Sequence, residues 1–223
     1  MPMGVWVLLV LLLVAAWGLR QLQKQRQRSG ANRLQESLER TLFDLRTGDI
    51  VQTGGRDWMV EDRLLYDEEG FQWLEYLLRD GSEGRWLSVC EDDWLEVSWL
   101  ERGPAELALE LDRQPLPFPA QITWEGVTYQ LKEQGRAAVS SSSRTMNRRL
   151  SGCRYGDYEA PDGQVLSLER WDGGSPGSRP PAPGSEPGPV EAEVTLGRLL
   201  DPASLVLLPG DGRSVYRPIS PGG

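Results

Sequence analysis

Four acidic side chains hold corresponding places in two stretches of this chain. In WLEYLLRDGSEGRWLSVCEDDW (73–94) and YGDYEAPDGQVLSLERW (155–171), an aromatic residue, an acid and a tyrosine lead to Asp-Gly, then to Leu-Ser and a further acid. Glu75 and Asp157 stand beside Tyr76 and Tyr158, and Glu91 and Glu169 follow the two Leu-Ser steps. Carboxylates converging across a pseudo-symmetric core can bind a cation such as Mg²⁺ or Ca²⁺, or a polyamine. Two of them can also divide the roles of general acid and base. Register works against full convergence. Glu91 lies three residues after Ser88 and Glu169 two after Ser167, so on simple strands they face opposite sides. These four are the ligand-site candidates, and the plainer expectation is that they are solvated strand and turn acids.

Other chemistry is excluded by composition. The 223 residues contain no histidine, which removes His-based general base catalysis, Ser-His and Cys-His pairs, and the common zinc and haem sites. Cys90 and Cys153 are too few and too far apart in sequence for a metal cluster. They are expected as buried reduced thiols in a reducing compartment, with a single disulfide as the alternative if the domain lies outside. Gly54-Gly55 and Gly173-Gly174 lack the spacing of a phosphate loop, and Ser140 to Ser143 have no partner base. No catalytic residue, metal or cofactor is expected, and the chain reads as non-enzymatic.

The elements that must position the acids are β-strands. Trp58 and Val60, then 72–78, 85–90 and 94–97, follow period 2 and are separated by Gly54-Gly55, Glu69-Gly70 and Asp80-Gly81. A connector is expected from Gly103 to Pro119, with Pro115, Pro117 and Pro119 preventing regular structure. A second β block occupies 121–132 and 155–171, and Gly126 to Glu133 echoes Gly55 to Glu61. The fold class is mainly β: two related β-meander units (47–102 and 120–172) packed as one domain over 47–172. Gly and Pro make 41 of the residues, and nine tryptophans supply much of the expected core.

The flanks differ. Residues 34–46 place Leu34, Leu38, Leu42 and Leu45 on one helical face, predicting a short amphipathic helix that packs on the domain or forms a homodimer. Residues 137–152 read as a mobile loop, with a binding or phosphorylation loop as the alternative, and 173–189, almost wholly Gly, Ser and Pro, as a disordered linker. The tail from 190 to 223 holds an apolar stretch, Ala203 to Leu208, that suits a docked strand, a short helix or a partner-binding peptide.

At the N-terminus, Met3 to Leu19 carries no charge, and seventeen residues at about 1.5 Å each reach ~25 Å, close to a bilayer core. Trp6 and Trp17 stand near its ends, at interface depth. Arg20, Lys24, Arg26, Arg28 and Arg33 follow with no acid among them, forming a basic juxtamembrane segment (20–33) beside lipid headgroups. The positive-inside rule then predicts a single-pass cell-membrane protein, N-terminus out, with the β domain cytoplasmic. The chain's −9 and this segment's +5 leave −14 for the rest, which argues against nucleic acid as a partner.

Gly48-Asp49, Trp58-x-Val60-Glu61, Trp73-x-Glu75-Tyr76-x-Leu78 and Trp86-Leu87-Ser88 resemble, in that order, a bacterial family known as domain of unknown function 4178. Gly126-x-x-Tyr129-x-Leu131-x-Glu133, Tyr155-x-Asp157-Tyr158-Glu159 and Leu166-Ser167-x-Glu169-x-Trp171 continue the likeness, which covers about 44–172. The resemblance implies a mostly β, often membrane-associated domain without established activity, whose genes sit near those for membrane-stress and polyamine-related proteins; it carries over no catalytic residue. The expected function is a membrane-tethered module that binds an unknown protein partner at the inner membrane face. The alternative is a cation or polyamine sensor using the acidic positions, and a carboxylate-based hydrolase comes third.

Overall fold

The computed structural model describes residues 39–141, 152–171 and 192–219. In chain order the elements are β1 (Glu39–Arg40), β2 (Ile50–Thr53), β3 (Arg56–Glu68), β4 (Phe71–Asp80), β5 (Glu83–Glu91) and β6 (Leu95–Arg102). Helix α1 (Ala105–Asp112) follows, then β7 (Gln121–Trp124), β8 (Val127–Ser141), β9 (Cys153–Glu159), β10 (Gln164–Trp171), β11 (Ala192–Leu199), β12 (Val206–Leu208) and β13 (Val215–Tyr216). The period-2 alternation does build one large antiparallel sheet, ordered β12-β2-β3-β4-β5-β6-β11-β10-β9-β8-β7.

A further pairing decides the shape. β3 also lies antiparallel to β8, with Leu64 opposite Ser141 and Asp67 opposite Ala138. That contact closes β3-β4-β5-β6-β11-β10-β9-β8 into an eight-stranded ring, which leaves those strands without a free edge. The ring consists of two four-stranded meanders whose first strands (β3, β8) pair and whose last strands (β6, β11) pair. Each meander is led in by a tight hairpin with two positive-φ residues, Gly54-Gly55 before β3 and Glu125-Gly126 before β8. Such turns match the right-handed strand twist and favour glycine. A bulge follows at the same place in both, between Val60 and Asp62 and between Leu131 and Glu133.

Alternation gives each meander one apolar face and one interior face. On the first, Leu74, Tyr76, Leu78, Leu87, Val89 and Val97 pack against Leu42, Leu45, Leu205, Leu207 and Tyr216. On the second, Leu166, Leu168 and Val194 pack against Leu107 and Leu111 of α1 and against Phe118. A third cluster, with Tyr66, Trp73, Tyr155 and Trp171, fills part of the ring where β3 and β8 meet. The clasp holding the first layer in place is buried. Arg40 reaches Asp49 at 3.2 Å and also Asp211, while the Tyr216 hydroxyl donates to Asp49.

Several expectations change. Residues 39–46 are not helical: Glu39–Arg40 pairs in parallel with β13, and Leu42–Asp44 is a single 3₁₀ turn capped by Thr41 and Asp44. Leu42 and Leu45 are nonetheless buried, against this chain's own sheet. The connector contains α1, capped by Pro104, whose Leu107 and Leu111 share one face; Pro115, Pro117 and Pro119 come only after the helix. The loop expected from 137 is strand as far as Ser141, because Ala137 and Val139 alternate into the interior beside β3. The sheet also runs past residue 172. β11 inserts between β6 and β10, and β12, within the apolar stretch of the tail, docks on β2.

The proposed anchor Met3 to Leu19, with Trp6 and Trp17, and the basic residues Arg20, Lys24, Arg26 and Arg28 lie outside the described residues, as do Leu34, Leu38 and 173–189. Among the described residues no helix is long and apolar enough to cross a membrane.

Candidate functional site

The interior faces of both meanders line an open-mouthed cavity of about 360 Å³. β4 contributes Trp73 and Glu75, β5 Ser88 and Cys90, and β6 Glu96, Ser98 and Leu100. β8 adds Lys132 and Glu133, β9 Tyr155 and Asp157, and β10 Val165, Ser167 and Glu169. The β5–β6 turn supplies Asp92, Asp93 and Trp94, the last 66% exposed. Seven carboxylic acids and one lysine therefore line the space.

Cross-strand register explains the grouping. Glu75 stands opposite Ser88 and Ser88 opposite Ser98; Asp157 stands opposite both Ser167 and Glu133, and Tyr155 opposite Glu169. Directly opposed acids such as Asp157 and Glu133 destabilise a sheet unless something offsets them. Burial followed by the charge of Asp157 raises the Glu75 carboxyl to about 8, against a hydrogen bond from Tyr66 that favours its ionised form. Glu169 is also raised well above the ordinary range, by burial and then by Glu75, with Tyr66 again opposing. Asp157 rises to about 6 through burial, eased by its hydrogen bond with Ser167 and increased by Glu133. Near neutral pH, Glu75 and Glu169 retain protons that they would lose in water.

The apolar part of the wall is aromatic. Tyr66 stacks on Trp73 with centroids 4.9 Å apart, and Trp73 meets Tyr155 edge-on at 5.0 Å. The Tyr155 phenol donates to Glu68. Gly135 leaves room for that carboxylate: a Cβ there would come within 2.2 Å of Glu68 Oε1. Lys132 occupies the bulge of β8, and its Nζ lies 2.8 Å from Glu159 and 3.4 Å from Glu96.

The structure brings Glu75, Asp157 and Glu169 to one cavity and leaves Glu91 exposed at the end of β5, outside the lining. The unequal spacing after Ser88 and Ser167 anticipates this separation. It did not anticipate Glu96, Glu133 and Lys132, which reach the cavity only because β6 and β8 face it. The acids are dispersed. Among the described residues, no three His, Cys, Asp or Glu side chains surround a common metal position. Both cysteines are thiols. Burial, reinforced by Glu96 and Glu133, pushes the Cys90 thiol up to about 11, so it is a neutral part of the wall rather than a nucleophile. Two carboxyl groups with displaced pKa values can also exchange a proton with a bound molecule.

Fold and site together define a closed antiparallel β-barrel with an acidic, aromatic-walled interior. The family model described as "Domain of unknown function (DUF4178)" matches residues 46–178, and the chain belongs to that family. It is 33% identical over 131 residues to the uncharacterized protein Rv2597 of Mycobacterium tuberculosis and equally to Mb2628 of Mycobacterium bovis, covering 56% of this chain and 59% of each relative. An uncharacterized protein of Aquifex aeolicus is 27% identical over 154 residues, 67% of this chain and 80% of that protein. The chain thus spans under two thirds of the mycobacterial relatives' length. No solved structure matches.

Proposed function

We propose that the barrel binds one small organic cation, an amine, in its interior. The observation that carries this reading is the lining itself: seven carboxylic acids and one lysine around about 360 Å³, with Trp73 and Tyr155 in the wall. That volume lies in the range of small-molecule sites, roughly 300–1,000 Å³, and eight-stranded barrels are wide enough for one such ligand. An entering ammonium takes the place of protons held on Glu75 and Glu169 and pairs with Asp157, while aromatic faces accept its apolar and cationic surface. Dispersed carboxylates suit an extended organic cation better than a divalent metal ion, which needs several oxygens around one point. The same convergence favours a ligand-binding module over a docking surface for a protein, because charge and aromatic area meet in a recess on the inner side of the ring.

In this reading the two meanders are related units whose pairing builds the cavity. The apolar segment from Met3 to Leu19 remains the proposed single-pass anchor, with the basic segment behind it holding the barrel at the inner membrane face. Thermal unfolding with spermidine, Mg²⁺ or Ca²⁺ at constant ionic strength tests the proposal. A Tm rise with spermidine that the metal ions do not reproduce supports it; no rise with spermidine overturns it.

A further inference from the structure

We infer that Lys132 sets the selectivity of this cavity, as a built-in ammonium that a ligand must displace from Glu96 and Glu159. The inference rests on the cation-binding reading and adds a named selecting residue to it. Its starting point is a bulge. The register shift between Leu131 and Glu133 breaks the strand alternation, so two consecutive side chains, Lys132 and Glu133, line the same cavity. The corresponding bulge in the first meander carries Glu61, whose carboxylate pairs with Arg79 at 2.8 Å on the exposed surface. Only the second meander turns its bulge residue into the site.

The partners of Lys132 come from strands that are not neighbours. Glu96 is on β6 and Glu159 on β9, and β11 and β10 lie between those strands in the ring. The lysine therefore straps one side of the barrel to another. Its side chain is 45% exposed and its partners 34% and 30%, so water and small solutes reach the bridge. Four methylenes ending in a primary ammonium make this side chain a tethered alkylamine, already seated between two carboxylates. An incoming ammonium can make the same hydrogen bonds, and the flexible lysine stem can swing into solvent. Until it does, its charge repels an arriving cation. A ligand with one ammonium has only the carboxylates around Glu75, Asp157 and Glu169 available. A ligand with two gains those and the pair released by Lys132.

Calorimetric titration of the full-length chain in nonionic detergent tests this, with n-butylamine and 1,6-diaminohexane as probes and Lys132→Met and Lys132→Arg as variants. Lys132→Met is expected to bind the diamine roughly tenfold more tightly, the scale of one removed like charge at a part-exposed site, while Lys132→Arg stays near the parent. Unchanged or weaker diamine binding by a Lys132→Met protein that melts cooperatively overturns the role of Lys132 and leaves amine binding standing. If neither parent nor variant binds either amine, the cation-binding reading itself fails. Glu96→Gln/Glu159→Gln provides a check that does not depend on Lys132→Met folding: the diamine should lose its advantage over butylamine, and a retained advantage overturns the inference.

Discussion

Tyr66 donates its phenolic hydrogen to the Glu75 carboxylate at 3.2 Å, from a ring that stacks on Trp73. One residue thus joins the aromatic wall to the acidic group. Tyr66 is fully buried, and it opposes the rise of both Glu75 and Glu169 by favouring their ionised forms. Tyr66→Phe keeps the stack and removes the donor. Above pH 8, where Glu75 is ionised, it should cost about 1.5–3 kcal/mol, the range for a hydrogen bond to a charged group, and it should shift carboxyl titration further upward. Carbon-detected NMR titration of the Glu side chains checks the second effect, and an unchanged titration would show that the hydroxyl does not govern these groups.

Stability should fall as pH rises through neutrality. Glu75 is raised to about 8 and Asp157 to about 6, with Glu169 raised as well. The unfolded chain releases these protons near pH 4, so the stabilisation is fully present below that pH and is lost as pH rises through the folded values. Each group contributes at most about 1.4 kcal/mol per pH unit, less where cavity water screens it. Asp211, held below the usual carboxylate range by hydrogen bonds from Ser214 and Arg213, acts in the opposite sense at the acid end. Urea unfolding should show greatest stability in mildly acidic buffer and a decline towards pH 8.5, with the decline reduced by saturating spermidine.

Glu169→Gln should separate stability from binding. The amide keeps the side chain's shape and removes a buried acid that Glu75 and Asp157 disfavour. At pH 8 the free protein is expected to gain about 1 kcal/mol, and spermidine affinity should drop about tenfold. A loss of stability with unchanged affinity would place Glu169 among the structural acids.

Trp73→Ala and Trp171→Ala should each destabilise by about 3–5 kcal/mol, the cost of truncating a packed aromatic. Trp171 is 2% exposed and lies 6.3 Å from the Tyr66 ring; Trp73 touches both Tyr66 and Tyr155. Only Trp73 lines the cavity, so at equal loss of stability it alone should also impair ligand binding. Chemical denaturation of both variants followed by titration with spermidine distinguishes the two roles.

Arg40→Ala should loosen the clasp that joins Arg40 and Asp49 to Asp211 and Tyr216. It leaves Asp49 buried at 2% exposure without its cation, a change worth about 3–5 kcal/mol when one partner of a buried pair is removed. Hydrogen exchange should accelerate first in Val206 to Leu208 and Val215 to Tyr216, before the β3–β6 meander.

Local spacing by itself determined much of this protein. Period-2 runs and Asp-Gly or Gly-Gly steps marked β3, β4, β5 and β10. The matching order of Trp73-x-Glu75-Tyr76 and Tyr155-x-Asp157-Tyr158 placed two acids at equivalent points, and the missing histidines limited the chemistry. Three features depended on tertiary structure because they arise from contacts between residues distant in the chain. Leu64 to Asp67 pair with Ala138 to Ser141, turning an apparently mobile serine-rich segment into the strand that closes the ring. Leu100 faces Gly197, drawing residues beyond the Gly/Ser/Pro stretch into the same barrel. Arg40 and Tyr216 converge on Asp49, so Leu42 and Leu45, two leucines of an apparent amphipathic helix, bury against the sheet from a 3₁₀ turn and its C-cap. Alternation tells which residues share a face of a strand. Closure alone decides which face is inside, and hence that Glu75, Asp157 and Glu169 share a cavity with Glu96, Glu133 and Lys132.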